Sequence, residues 1–269
     1  MLESAPENFK NNPIGIFDSG VGGLSVWREV QKFLPHENIV YLADSENCPY
    51  GSKSEEEIIK LSIQNTNFLL KLKCKLIIVA CNTATAAAIS TLRTNYTLPF
   101  IGMEPAVKPA ALNSNTGKIG VLATKGTFEG RLFKETSTKY AQHVDQIIQI
   151  GEGLVELVEL GLVETEQSEN LLKKHLKPML DAGVDHIVLG CTHYPFFIPQ
   201  IRKLIPKNIQ LIDPAPAIAL RTSVILKENG LENEMGEPDY LFYSSGKGDV
   251  LKALIKEMTG QEYMVNPVY

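Results

Sequence analysis

No stretch of this 269-residue sequence is both long and apolar enough to span a bilayer, which argues against a helical membrane protein. Positive charge is not in excess. With 26 Lys and Arg against 31 Asp and Glu the net charge is −5, so no nucleic acid and no anionic membrane is expected as a partner. Cysteine is scarce: Cys48, Cys74, Cys81 and Cys191 are all there is. Four thiols in a chain of this size make no disulfide framework, and the C-x-x-C and H-E-x-x-H spacings of zinc sites are missing, so no metal is expected. Met1 to Asn12 carries Glu3, Pro6, Glu7 and Asn8 and lacks the apolar core of a signal peptide, so the expectation is a cytoplasmic chain with reduced cysteines.

What is present is alternation. Short runs rich in Ile, Val and Leu predict strands at 14–17, 39–43, 76–80, 100–102, 119–122, 147–150, 186–190, 210–212 and 240–244. Between them, helical patterns fall at 24–33, 55–72, 84–93, 128–140, 154–160, 164–182, 217–229 and 250–258, and Ser54 with Glu57 reads as a capping box. Continuous rather than alternating hydrophobicity is the mark of strands in a parallel sheet covered on both faces. The fold class is therefore α/β. Pro-marked crossings at 102–106 and 213–217 suggest two similar parallel-sheet domains, 1–104 with 215–269 and 105–214, and a cleft between them.

Two strand ends look like copies of each other. Ile78-Val79-Ala80-Cys81-Asn82-Thr83 and Val188-Leu189-Gly190-Cys191-Thr192-His193 each end an apolar run in a small residue and then a thiol, 191 − 81 = 110 positions apart. One thiol from each half suits a reaction that removes a proton from one face of a carbon and returns it on the other. Cys81 precedes an Ala-rich helix whose N-terminus favours thiolate. His193 stands two residues from Cys191, close enough to tune it. Cys74, His36, His143, His175 and His186 read as structural, and Cys81, Cys191, His193 and Asp18 lack the spacing of a zinc site.

Asp18-Ser19-Gly20-Val21-Gly22-Gly23-Leu24 follows the first strand and permits close backbone approach to a ligand. A dinucleotide fingerprint, completed by Asp44, fails because Ser25 stands where the third glycine should be and Asp18 would repel a pyrophosphate. The loop 44–52 contributes Tyr50 as a wall and Gly51 as a place of close approach. Ser244-Ser245-Gly246-Lys247-Gly248-Asp249 lacks the outer positions of a P-loop and reads as a turn into the last helix. These loops contain no arginine, so an acidic ligand would be held by N–H groups, hydroxyls and helix N-termini.

Asp-Ser-Gly-Val-Gly-Gly-Leu at 18–24, Pro-Tyr-Gly at 49–51, Ala-Cys-Asn-Thr-Ala at 80–84, Gly-Met-Glu-Pro-Ala at 102–106 and Gly-Cys-Thr-His-Tyr-Pro at 190–195 together resemble the glutamate racemases, in order and over most of the chain. Ala43 and Thr85 depart from the usual Gly and Ser. The resemblance implies a cofactor-independent isomerase that interconverts L- and D-glutamate for peptidoglycan synthesis. It implies that Cys81 and Cys191 are the acid/base thiols, that Asp18 assists Cys81, and that His193 and Glu159 assist Cys191. It further implies that Ser19, Tyr50 and Gly51 hold one end of the substrate and Asn82, Thr83 and Thr192 the other. Members are often dimers, so a homodimer is compatible with it, while the short N-terminus does not look like an activator-binding extension. A racemase acting on aspartate or another acidic amino acid would share the same chemistry. A non-catalytic binding protein for an acidic metabolite would not need the second thiol, and a dithiol redox protein would need its cysteines to meet.

Overall fold

The computed structural model describes residues 7–268. Among these residues ten strands run β1 Ile14–Asp18, β2 Ile39–Ala43, β3 Leu76–Val79, β4 Phe100–Gly102, β5 Lys118–Ala123, β6 Asp145–Ile150, β7 His186–Gly190, β8 Gln210–Ile212, β9 Tyr240–Ser244 and β10 Val265–Pro267. Six form one sheet in the order β10-β9-β2-β1-β3-β4, four form another in the order β6-β5-β7-β8, and every pairing is parallel.

Both faces of the larger sheet are covered. Ile14 and Ile16 of β1, with Leu76 and Ile78 of β3, join the cluster that holds Trp27 and Phe242. Their neighbours Phe17, Ile77 and Val79 point the other way, into a cluster with Ile58 and Leu69. This period of two explains why the strands read as unbroken apolar runs. Full burial of each such side chain stabilises by about 1.5–3 kcal/mol, and a one-residue slip would exchange all of them between clusters, so register is firmly set. Trp27 packs edge-on against Tyr240 and Phe242 with ring centroids 5.5 and 5.3 Å apart, fixing β9 beside the first helix of the sheet. β6, at a sheet edge, is half-exposed along its length.

Differences from the sequence reading have local causes. The helix expected over 128–140 is two, Lys125–Glu129 and Arg131–Tyr140, because Gly130 is extended with φ −65° and ψ 147°. A Cβ on Gly130 would come 2.6 Å from the Ala86 methyl, so the break allows a close crossing. The capping box at Ser54 is half-formed: its hydroxyl accepts the Glu57 N–H at 3.2 Å, while the Glu57 carboxylate pairs with Lys53 at 2.7 Å. Helices Val107–Asn113 and Ile198–Leu204 and strand β10 contain Pro109, Pro199 and Pro267, which masked them as breaks. Among the described residues no helix is long and apolar enough to cross a membrane.

Candidate active site

The two sheets share a plan. In each, the first strand (β1 or β5) lies between the second and third, and the fourth lies outside the third. Chain order therefore reverses beside β1 and beside β5, and such switch points open a crevice at the carboxyl ends of strands. Cys81 lies just beyond β3 and Cys191 just beyond β7, the equivalent strands. The thiols are buried, 6% and 7% exposed.

Around Cys81 the local chain does three things. Cys81 caps the helix Asn82–Asn95, its sulfur accepting the Ala84 N–H at 3.4 Å. Its thiol donates toward Ser19 Oγ at 3.7 Å. Burial pushes the thiol well above its ordinary range, the negative charge of Asp18 adds to this, and the Ala84 N–H opposes it. The helix N-terminus expected to favour thiolate is present but is outweighed. Asp18, fully buried, accepts the Gly23 N–H at 2.8 Å; burial raises its carboxyl above the usual range, with the His193 charge opposing.

Around Cys191 the arrangement is a line of three groups. The Cys191 sulfur lies 3.8 Å from His193 Nδ1, and His193 Nε2 lies 2.6 Å from Glu159 Oε1. A carboxylate only accepts, so Nε2 donates to Glu159, and Nδ1 faces the thiol. Burial alone would disfavour imidazolium, but hydrogen bonding to Cys191, Cys48 and Glu159 raises His193 well above its ordinary value.

The glycine-rich turn seats these groups. Glu159 Oε1 accepts the Val21 N–H at 2.7 Å, and a Cβ on Gly20 would lie 1.9 Å from that same oxygen. A Cβ on Gly22 would lie 2.3 Å from His193 Nδ1. Ser25 Oγ donates to the Thr192 carbonyl at 3.0 Å, and the Thr192 hydroxyl approaches both Asp18 oxygens at 3.4 Å. The glycines are thus bare because side chains from the smaller-sheet half press against them.

A family model described as Asp/Glu/Hydantoin racemase matches residues 24–222, which include both thiols. A glutamate racemase of Herpetosiphon aurantiacus is 46% identical over 224 residues, 83% of this chain and 88% of that protein. The chain belongs to the Asp/Glu/hydantoin racemase family, among the glutamate racemases. A crystal structure of a Bacillus anthracis glutamate racemase is 31% identical with a TM-score of 0.88, covering 97% of this chain and 98% of that one. One from Francisella tularensis, in complex with D-glutamate, is 30% identical with a TM-score of 0.83, covering 96% and 97%.

In this racemase the remaining residues singled out in the sequence fall around the same crevice, with one change of emphasis. Tyr50 is buried and its hydroxyl is committed, donating to Asp44 Oδ2 at 2.5 Å and accepting from Asn65 at 3.1 Å. It anchors its loop more than it reaches for a ligand. Asp44 also accepts from Ser245 Oγ at 2.8 Å, so it is spent on the loop. Asn82 is the opposite case: it is 3% exposed and neither side-chain atom has a hydrogen-bond partner. An unsatisfied buried amide costs about 1–3 kcal/mol, which a bound polar ligand would offset. Thr83 Oγ1 meets Thr124 Oγ1 at 2.9 Å across the crevice, and Gly51 packs against Thr124.

Two residues escaped the sequence reading. Thr124 follows β5 as Ser19 follows β1; the signal was a hydroxyl at a strand end. Cys48 lies with Glu159 and His193, the three donor atoms all within 4.8 Å of one another. No spacing could have shown this, since the loop carrying Cys48 reaches His193 only through the fold.

Proposed function

We propose that this racemase interconverts L- and D-glutamate by proton transfer between Cys81 and Cys191, placed on opposite faces of the substrate α-carbon. The observation that carries the proposal is the delivery of one buried thiol from each of two topologically equivalent strand ends, β3 and β7. In one direction Cys191, as thiolate, takes the α-proton while Cys81, as thiol, returns one to the other face; the reverse reaction exchanges the roles. His193, held by Glu159, steadies charge at Cys191, and Asp18 governs the proton at Cys81. The resting thiol of Cys81, raised by burial and Asp18, suits the acid role.

Substrate would be held without arginine. Ser19, Gly51 and the loop braced by Tyr50 would contact one end, and Asn82, Thr83 and Thr192, near the start of the Asn82–Asn95 helix, the other. Each donor aimed at developing negative charge is worth about 10²–10³ in rate in a dry site. The orphaned Asn82 amide supports this assignment. The proposal includes a division into two domains, 1–104 with 215–269 and 105–214, matching the membership of the two sheets. It also places the enzyme in the cytoplasm, supplying D-glutamate for peptidoglycan, and accommodates a homodimer.

The test is incubation with L-glutamate, and separately L-aspartate, in D₂O without added cofactor, following optical rotation and deuterium at Cα. Glutamate should racemise with deuterium incorporation, and aspartate should turn over far more slowly. Cys81→Ala and Cys191→Ala should each abolish racemisation, while the corresponding serine variants should keep lopsided exchange. Undiminished racemisation in both alanine variants would refute the two-thiol scheme.

A further inference from the structure

Cys48 takes no part in the proposed proton transfer, yet it lies beside the groups that support Cys191. Its sulfur, the Glu159 carboxylate and a His193 ring nitrogen lie within 4.8 Å of one another. Cys48 and Glu159 also line a cavity of about 450 Å³, bordered by Val21, Val155 and Leu251, on the side of His193 away from Cys191. Three different donor types therefore converge, and two of them line a space large enough to admit a hydrated ion. Glu159 is partly exposed there, with 17% of its side chain accessible.

We propose that Cys48, His193 and Glu159 form a binding site for a thiophilic divalent cation, of which Zn²⁺ is the type, and that occupation inhibits the enzyme. Sulfur, imidazole nitrogen and carboxylate oxygen are the ligands zinc prefers, and three protein ligands leave a fourth position for water from the cavity. Bonds of about 2.0–2.3 Å set tetrahedral ligands roughly 3.5 Å apart, so the donors need contract by only about 1 Å. His193 Nε2 and Glu159 Oε1, at 2.6 Å, are already closer than this, because a proton bridges them. From an imidazolium the ion would replace the Nε2 proton, leaving neutral imidazole protonated at Nδ1, and it would replace the thiol proton of Cys48, releasing both to solvent.

Inhibition follows from what the ion removes. A metal-bound His193 no longer takes up or releases a proton beside Cys191, and Glu159 no longer fixes its tautomer. The inhibitory part of the inference rests on the two-thiol reading; the binding part does not. This cation is an effector and not a resident cofactor.

The test uses ZnCl₂ and CoCl₂ on the full chain. Zn²⁺ should inhibit racemisation reversibly, with activity restored by a chelator. Co²⁺ should give a thiolate-to-metal charge-transfer band at one ion per chain. Relative to their own metal-free rates, Cys48→Ser and Cys48→Ala should each need at least about tenfold more Zn²⁺ for the same fractional inhibition, and both should lose the Co²⁺ band. The band should survive in Cys81→Ser. The main rival is an ion bridging Cys81 and Cys191 directly. Zinc sensitivity and a Co²⁺ band unchanged in both Cys48 variants, loss of the band in Cys81→Ser, or no inhibition of the wild type would each overturn the inference. A Co²⁺ site that persists in a wild type lacking racemase activity would separate failure of the function from failure of the site.

Discussion

Replacing Gly22 by alanine tests whether the glycine-rich turn exists to seat His193. The added Cβ would stand 2.3 Å from His193 Nδ1, 2.5 Å from Cε1 and 2.7 Å from Cγ, whereas ordinary contact begins near 3.4 Å. The ring must therefore move by about 1 Å, and it is not free to do so. It is held by the 2.6 Å bond to Glu159, which is held in turn by the Val21 N–H at 2.7 Å. Either that chain of bonds breaks or the turn shifts. Misplacing a reacting group by 1 Å costs about 10² in rate, or about 2.7 kcal/mol of barrier. Overpacking should also cost about 1–3 kcal/mol of stability. Enantiomers have equal free energy in water, so kcat/KM must fall by the same factor in both directions, whichever thiol is affected. The asymmetry appears elsewhere: deuterium exchange should slow most from the enantiomer whose α-hydrogen faces Cys191. The assay is polarimetry from both enantiomers beside exchange in D₂O, with Trp27 fluorescence reporting folding. A folded Gly22→Ala enzyme with wild-type kcat/KM would refute the reasoning.

Two further predictions concern stability. Lys75 Nζ and Glu37 Oε2 form a buried pair at 2.5 Å, so Lys75→Met should cost about 3–5 kcal/mol in urea unfolding followed through Trp27, and adding Glu37→Met should recover most of it. A single-variant loss under about 1 kcal/mol would show the pair is not sealed from water. Asp185 is pressed upward by burial, but bonds from His186 at 2.8 Å, Thr116 N–H at 2.9 Å, Ser114 Oγ at 2.8 Å and Asn115 N–H at 2.6 Å hold it well below the usual carboxylate range. A depressed carboxyl stabilises above its unfolded pKa of about 3.9 and loses that as pH falls through the folded value. Asp185→Asn should therefore destabilise by about 1.5–3 kcal/mol at pH 7, with the gap closing below about pH 4; a gap independent of pH would be a packing effect instead.

How much of this the sequence carried depended on whether the signal was local. Strands such as Ile39–Ala43 and His186–Gly190 read correctly to the residue because unbroken β-branched runs between polar turns leave few alternatives. The paired cysteines stood out because two halves repeat one plan, and the helix N-terminus at Cys81 was legible from Asn-Thr-Ala. Its consequence was not: whether a helix end or burial beside Asp18 governs the thiol is decided by packing. The helix expected over 128–140 took no account of Gly130, whose extended backbone lets Ala86 pass close. The Gly20 and Gly22 positions were read as places for a ligand's approach, when what approaches is Glu159 and His193, some 140 and 170 residues downstream. Cys48 and Thr124 belong to the same class of relation, made by loops that meet only once both sheets have formed.

The seating of Glu159 and His193 on a bare backbone turn has a bearing on recombination. A chimera assembled from two relatives by exchanging the central segment would bring together a turn from one parent and an acid–imidazole pair from the other. If the donor turn bore even one methyl at position 20 or 22, the hybrid would carry both sulfurs and still lose about 10² in rate. The turn and the pair it cradles should therefore be inherited as a unit, although the whole of β2 to β6 lies between them in the chain.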